Sequence, residues 1–289
     1  KRSKSRDWYQ DLGYDLPSRS YVNAHVGYSS CWFEIPEHLD EDFVMIQVAD
    51  LISKPPAGQG QRSGVIIKME GNRWIAILAS NNKDYPPTTL PEFLAFGKTL
   101  KSDVFYNLLK DAKPLTPVYG SRSTQNTWYH YEKLSRLPDC FIIVGDAVCS
   151  FNPLFGQGMS IAAMDAKILG EQLGKWQQDT LVGFATHFQK QLAKARRMPW
   201  LLSTANDKMQ PTAEGDIGSV PLIDTLQSHY FRWVLEAMNH DEQVLTAFFE
   251  VLNMLESPIR LAYPDILFRV ARYKLTSSHS TTLKLSTLN

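Results

Sequence analysis

Between residues 21 and 79 the chain returns four times to short runs rich in Val, Ile, Phe and Trp, at 21–35, 43–48, 64–69 and 74–79. Pro55-Pro56-Ala57-Gly58-Gln59-Gly60 and Glu70-Gly71-Asn72 punctuate them. Runs this short, closed by turn residues, bury an apolar face by pairing with one another. The spacing therefore predicts an antiparallel sheet of several strands, with a hairpin turn across Met69-Glu70-Gly71-Asn72-Arg73-Trp74.

The texture then changes. Asn81-Asn82-Lys83-Asp84-Tyr85-Pro86-Pro87 breaks the strands, and Thr89 with Glu92 three residues on forms a capping box, with Pro91 inside the first turn. A helix to about residue 100 is expected. Ser102 is placed to cap another, with Val104, Phe105, Leu108 and Leu109 on one face. Residues 115–131 read as extended. Phe141-Ile142-Ile143-Val144 reads as a short strand, and after the Pro and Gly of 152–158 a helix is expected over 159–173, a strand–loop–helix α/β unit. The remainder reads as helical: 184–194, then Phe231, Val234, Leu235 and Met238, then Leu245, Phe248, Phe249, Leu252 and Leu255, with a break near Asp241. The Ser/Thr-rich stretch 275–289 is expected to fray.

Composition narrows the function classes. At about 100–200 residues per domain, 289 residues allow one large or two modest domains. Thirty basic and thirty acidic residues leave no basic excess of the kind nucleic-acid binding requires, so no nucleic-acid partner is expected. No stretch approaches the roughly 18 uninterrupted apolar residues of a transmembrane segment. Cys31, Cys140 and Cys149 are too scattered for a disulfide framework or a C-x-x-C metal pair, which predicts a reducing, cytoplasmic setting and no metal.

Residues 144–159 carry the chemistry. An apolar run delivers Gly145-Asp146 to the edge where open α/β sheets place ligands, and a carboxylate there accepts hydrogen bonds from sugar or ribityl hydroxyls. Pro153 stiffens the loop, and Gly156-Gln157-Gly158 lets backbone approach a flat ring. The helix beginning near Met159 aims free N–H groups and a positive dipole end at the same place, which suits a ring carbonyl that gains negative charge.

This run resembles the second FAD-binding signature of the flavin-dependent aromatic hydroxylases, G-D-A-x-x-x-x-x-P-x-x-G-x-G-x-x-x-A, matched at Gly145, Asp146, Ala147, Pro153, Gly156, Gly158 and Ala162. Gly71–Trp74, Asp84-Tyr85-Pro86-Pro87, Phe93-Leu94-Ala95-Phe96 and Trp128-Tyr129-His130-Tyr131-Glu132 up to Leu137-Pro138 are similar to the group A monooxygenases labelled 2-polyprenyl-6-methoxyphenol hydroxylase-like or FAD-dependent oxidoreductase. The resemblance spans residues 5–215. It implies that Gly145, Asp146, Pro153, Gly156, Gln157, Gly158 and Met159 bind FAD and that NADH or NADPH reduces it. It further implies that O2 is captured as a flavin hydroperoxide and that oxygen passes to a small aromatic or isoprenoid-like substrate, the cofactor supplying the hard chemistry.

The family's G-x-G-x-x-G strand–loop–helix, which holds the pyrophosphate, has no counterpart in this sequence. Ser5-Arg6-Asp7-Trp8-Tyr9 resembles residues just after the family's middle signature. The expectation is the C-terminal part of a flavoprotein. Residues 1–20 would be a linker remnant, 21–131 a β-rich substrate-side domain and 132–175 the last strand–loop–helix of the FAD domain. Residues 176–274 would be a helical region and 275–289 a disordered tail. The fold class is α/β (α+β), an antiparallel sheet packed beside a partial FAD-binding unit.

Other residues have plainer readings. Cys149 fits a buried, inert thiol better than a redox group. Trp32 and His130 are candidate substrate contacts, against ordinary strand residues. Cys31-Trp32-Phe33-Glu34-Ile35-Pro36 lacks both tryptophans of the flavin halogenases' W-x-W-x-I-P run and is not read as one. Arg196-Arg197 reads as a helix C-terminus. The helices over 231–255 lack a basic polar face, which favours core or homodimer packing over a membrane surface. Two readings compete with the monooxygenase: a catalytically silent small-molecule binding module, and a flavin-dependent prenyl reductase.

Overall fold

A computed structural model describes residues 3–37, 43–49, 55–153, 156–176, 180–217 and 222–277. The chain divides into two compact units, residues 1–218 and 219–289.

The first unit is built on a five-stranded antiparallel sheet. It comprises β2 (Gly27–Glu34), β3 (Met45–Ala49), β4 (Ser63–Met69), β5 (Arg73–Ser80) and β6 (Tyr119–Ser121), in the order β3-β4-β5-β2-β6. β4 and β5 form the expected hairpin: Met69 pairs with Arg73 across the three-residue loop Glu70-Gly71-Asn72, in which Gly71 and Asn72 both have positive φ. The alternation in β2 sends Cys31 and Phe33 to one face. Ile66, Trp74, Ala76 and Leu78 join them there. α2 (Leu90–Gly97) and α3 (Val104–Leu109) cover this face with Phe93, Phe96, Phe105, Leu108 and Leu109. Each such large side chain, fully buried, contributes about 1.5–3 kcal/mol. The Thr89 hydroxyl is hydrogen-bonded to the Glu92 carboxylate at 2.6 Å, so the two capping-box side chains satisfy each other and Thr89 does not cap a backbone N–H.

A second antiparallel sheet, ordered β8-β7-β1-β9, joins β1 (Arg19–Asn23), β7 (Asn126–Tyr129), β8 (Cys149–Ser150) and β9 (Glu214–Gly215). The run expected over 21–35 is therefore two strands in different sheets. Between them the Asn23 side chain accepts the His25 N–H at 3.0 Å and His25 takes φ 50°, which turns the chain.

Residues 141–144 are not a strand. They are extended, but no neighbour pairs with them among the described residues, and the Ile143 carbonyl accepts instead from the buried Gln189 side chain at 2.7 Å. α4 (Gly158–Lys175) follows the loop and packs on α5 (Phe184–Lys208), which runs well beyond the expected 184–194 and tolerates Pro199 inside it. α1 (Ser5–Asp11) opens the unit.

In the second unit α6 (Leu222–Ala237), α7 (Glu242–Leu252) and α8 (Pro264–Ser277) surround Val234, Ala237, Val244, Phe248, Val251, Ile266 and Val270. The break expected near Asp241 is present, and Asp241 caps α7 by accepting from the Gln243 and Val244 N–H groups. α8 reaches Ser277, so residues 275–277 are helical rather than tail, and 278–289 lie outside the described residues. No described helix is long and apolar enough to cross a membrane.

Candidate functional site

After the extended run 141–144 the chain makes a tight 3-10 turn, Gly145–Ala147, with Gly145 at φ 59°. That conformation disfavours a side chain. The Gly145 N–H donates to Asp165 Oδ2 of α4 at 2.8 Å, and the same oxygen meets the Arg196 guanidinium of α5. Asp165 and Arg196 are almost wholly buried. Burial pushes the Asp165 carboxyl up and the Arg196 guanidinium down, and each partner's charge opposes the other's shift. The pair thus straps the turn to two helices and leaves Asp146 exposed above them.

Asp146 faces a cavity of about 360 Å³ that it shares with Ser5, Arg6, Ser123, Thr127 and Ser150, among others. Its wall carries hydroxyls, the Arg6 cation and a second carboxylate, Asp7. Arg6 lies over the Tyr129 ring, 4.9 Å from its centroid, and its Nε is buried without a hydrogen-bond partner.

From β8 the chain continues through Phe151, Asn152 and Pro153; residues 154 and 155 lie outside the described set. Gly156, at φ 65°, donates its N–H to the Pro153 carbonyl at 2.9 Å, and Gln157 then stands at the N-cap position of α4 without a side-chain hydrogen bond to its first turn. Gly156, Gly158 and Met159 are exposed, Gln157 is buried, and an added Cβ at Gly156 or Gly158 would meet nothing within 4 Å. The first-turn N–H groups of α4 have no intrahelical acceptor, and no described side chain crowds either glycine.

The remaining sequence candidates lie elsewhere. Trp32 sits on β2 with the Arg73 guanidinium 4.9 Å from its ring centroid. His130 is buried, with Nε2 2.9 Å from Ser20 Oγ and Nδ1 2.8 Å from Glu132 Oε1, so both ring nitrogens are engaged. Neither residue lines the Asp146 cavity. Cys149 is buried, and burial pushes its thiol well up despite the nearby Arg196 charge, which keeps it protonated. Arg196 is not at a helix C-terminus as expected: it lies mid-helix, turned inward by its pairing with Asp165.

Sequence reasoning missed Asp165, Arg196 and a second buried cluster, Tyr28, Asn126, Asn152, Ser203 and Asp207. The available signal was spacing. Asp165 lies four residues after buried Ile161, and Arg196 four after buried Leu192.

No family model matches the chain. Protein Rv3254 of Mycobacterium tuberculosis is 28% identical over 202 residues, covering 69% of this chain and 41% of that protein. The flavin-dependent brominase Bmp2 superposes with a TM-score of 0.53 at 10% identity, over 96% of this chain and 62% of the brominase. This chain shares its fold with that flavin-dependent enzyme. The same fold is shared with the Diels-Alderase PyrE3 of pyrroindomycin biosynthesis, at a TM-score of 0.52 and 14% identity over 86% of this chain and 48% of PyrE3. The chain spans 41% to 62% of the length of these relatives. The Gly145–Ala147 turn, the glycine loop and the α4 N-terminus are the elements that the sequence resemblance assigns to the cofactor.

Proposed function

We propose that this chain carries the substrate-side sheet and the ring-side part of an FAD site in an oxidoreductase, a monooxygenase acting on an aromatic or isoprenoid-like small molecule. One observation carries the reading: the Asp165–Arg196 pair holds the Asp146 turn against α4, so that carboxylate and the open helix N-terminus belong to one frame. The residues fit the cofactor's chemistry. Asp146 would accept hydrogen bonds from ribityl hydroxyls, and Arg6 with the surrounding hydroxyls would meet phosphate or polyol oxygens. Gly156, Gln157, Gly158 and Met159 would turn their backbone toward the pyrimidine edge, where the helix dipole favours negative charge. Pro153 holds the entry to that loop. FAD supplies the oxygen-transfer chemistry when bound, with NADH or NADPH as electron donor and O2 as oxidant. The protein's share is position, polarity and exclusion of water.

PyrE3, named as a Diels-Alderase, favours a second reading in which the fold serves small-molecule binding without redox turnover. FAD titration separates them. Retained flavin absorbance in the purified chain, weakened by roughly 1–3 kcal/mol in Asp146→Ala through a lost hydrogen bond, supports the first. Retention unchanged by that substitution refutes the site assignment, and flavin that is retained but not reduced by NADH or NADPH favours the second reading.

A further inference from the structure

Behind the glycine loop lies a buried polar cluster assembled from four elements. Asn126 on β7, Asn152 in the loop, and Ser203 and Asp207 on α5 are each 2% exposed or less, and Tyr28 of β2 reaches in beside them. Hydrogen-bond directions fix its polarity. The Asn126 Oδ1 accepts the Asn152 backbone N–H at 2.7 Å and the Ser203 hydroxyl at 2.8 Å. A backbone N–H can only donate, so the Asn126 amide must turn its NH2 toward Asp207, where Nδ2 lies 2.7 Å from Oδ2. The Asn152 Oδ1 accepts from the Tyr28 hydroxyl at 2.9 Å, and its Nδ2 also donates to Asp207 Oδ2, at 3.2 Å. Two amides thus converge on one carboxylate oxygen. Among the described residues Oδ1 has only a 3.5 Å contact, with Asn152 Nδ2.

We propose that Asp207 is the positioning residue of the glycine-bearing loop, its Oδ2 clamping Asn152 just ahead of Pro153 while its Oδ1 takes up and releases a proton without opening the clamp. A proton on Oδ2 would face two N–H donors, at 2.7 and 3.2 Å; a proton on Oδ1 faces only the distant edge of the Asn152 amide, at 3.5 Å. Asp207 also lines a small cavity of about 20 Å³, shared with Gln61, Ser63, Ser80, Asn81 and Asn206, enough for one water to receive that proton's hydrogen bond.

Burial pushes the carboxyl up to about 6, against the opposing effect of the Asn152 and Asn126 hydrogen bonds. The titratable group facing it is the Tyr28 phenol, which burial holds protonated, and beyond Ser80 lies the paired Arg62–Asp84. The cluster's charge then changes near neutral pH while its geometry is conserved. The assignment of the loop to flavin rests on the function proposed above; the clamp and its proton do not.

The test uses the full chain and two variants. Asp207→Asn copies the protonated carboxyl, with its oxygen in the Oδ2 position, whereas Asp207→Ala removes the clamp. In infrared difference spectra between pH 5 and 7.5 the wild type should lose a protonated-carboxyl band with a midpoint near 6, and Asp207→Asn should lack that band. Amide exchange at Asn152 and Gly156 should be as slow in Asp207→Asn as in wild type and at least about tenfold faster in Asp207→Ala. Should Asp207→Ala not fold, Asn152→Ser, which drops the loop's arm and keeps the carboxyl, should speed exchange at Gly156 likewise. FAD affinity should follow the same order. A band that persists in Asp207→Asn, or equal exchange in all forms, overturns the proposal. Correct bands and exchange with FAD affinity identical in all three forms overturn the flavin reading alone.

Discussion

Replacing Asp165 with Ala removes the acceptor of the Gly145 N–H and the only counter-charge hydrogen-bonded to Arg196 among the described residues, a guanidinium that is 1% exposed. Breaking a buried ion pair from one side costs about 3–5 kcal/mol, because the remaining charge stays desolvated. The pair itself is not a strong stabiliser. Burial shifts both groups toward their neutral forms, and Arg196 Nε and Nη1 are buried without hydrogen-bond partners. The double variant Asp165→Leu/Arg196→Met should therefore recover about 2 kcal/mol of the loss, leaving about 1–3 kcal/mol for the orphaned Gly145 N–H. Urea unfolding followed by tryptophan fluorescence is a suitable assay, since six of the seven tryptophans lie in residues 1–218 and report that unit. A single variant costing less than about 1 kcal/mol, or a double variant less stable than the single, would refute a desolvated pair; the cycle isolates the coupling.

Four further outcomes follow from the geometry. Gly156→Ala should cost about 1–2 kcal/mol in thermal or urea unfolding because of its φ of 65°, although its Cβ has room. Gly158→Ala, with neither a positive φ nor a close neighbour, should leave unfolding unchanged yet weaken FAD binding in titration, since its Cβ would occupy the approach to the helix N-terminus. For Asp207, a folded value of about 6 against an ordinary 3.8 means that the folded state holds the proton more tightly. Stability should then fall by roughly 3 kcal/mol as pH rises from about 4 to 6 and level off above, and Asp207→Asn should abolish that component in pH-dependent urea unfolding. Asp241→Ala should cost about 0.5–2 kcal/mol through the lost α7 cap, read by helical circular dichroism on heating.

The sheet was legible because its signal is local. Period-two burial in β2 and the Glu70-Gly71-Asn72 loop are both written within a few residues. The split of 21–35 into two strands was not, since it turns on one Asn23 side chain bonding the His25 N–H amid an otherwise β-like run. Residues 141–144 carry a strand's composition, but composition cannot show which chain would pair with them, and here a side chain takes the Ile143 carbonyl. α5 was cut short for a different reason: its buried stripe begins with Phe184, Phe188 and Leu192 and continues through Arg196, Ser203 and Asp207. A hydropathy reading takes those polar residues for surface.

The same asymmetry divides the candidate site. Asp146, Pro153, Gly156 and Gly158 stand in one contiguous signature, because the chemistry required at a ligand-facing loop is local: a carboxylate, a stiffener and two positions free of side chains. The groups that hold this loop come from far along the chain. Asn126 reaches Asp207 across 81 residues and Asn152 reaches it across 55. Their pattern has no period, and each looks like a solvated polar residue until the fold buries it. Buried polar groups without partners are costly, so these clusters form only in the native arrangement. They therefore specify the position of the loop more sharply than apolar packing would, and substitutions in them should move ligand binding without touching the ligand.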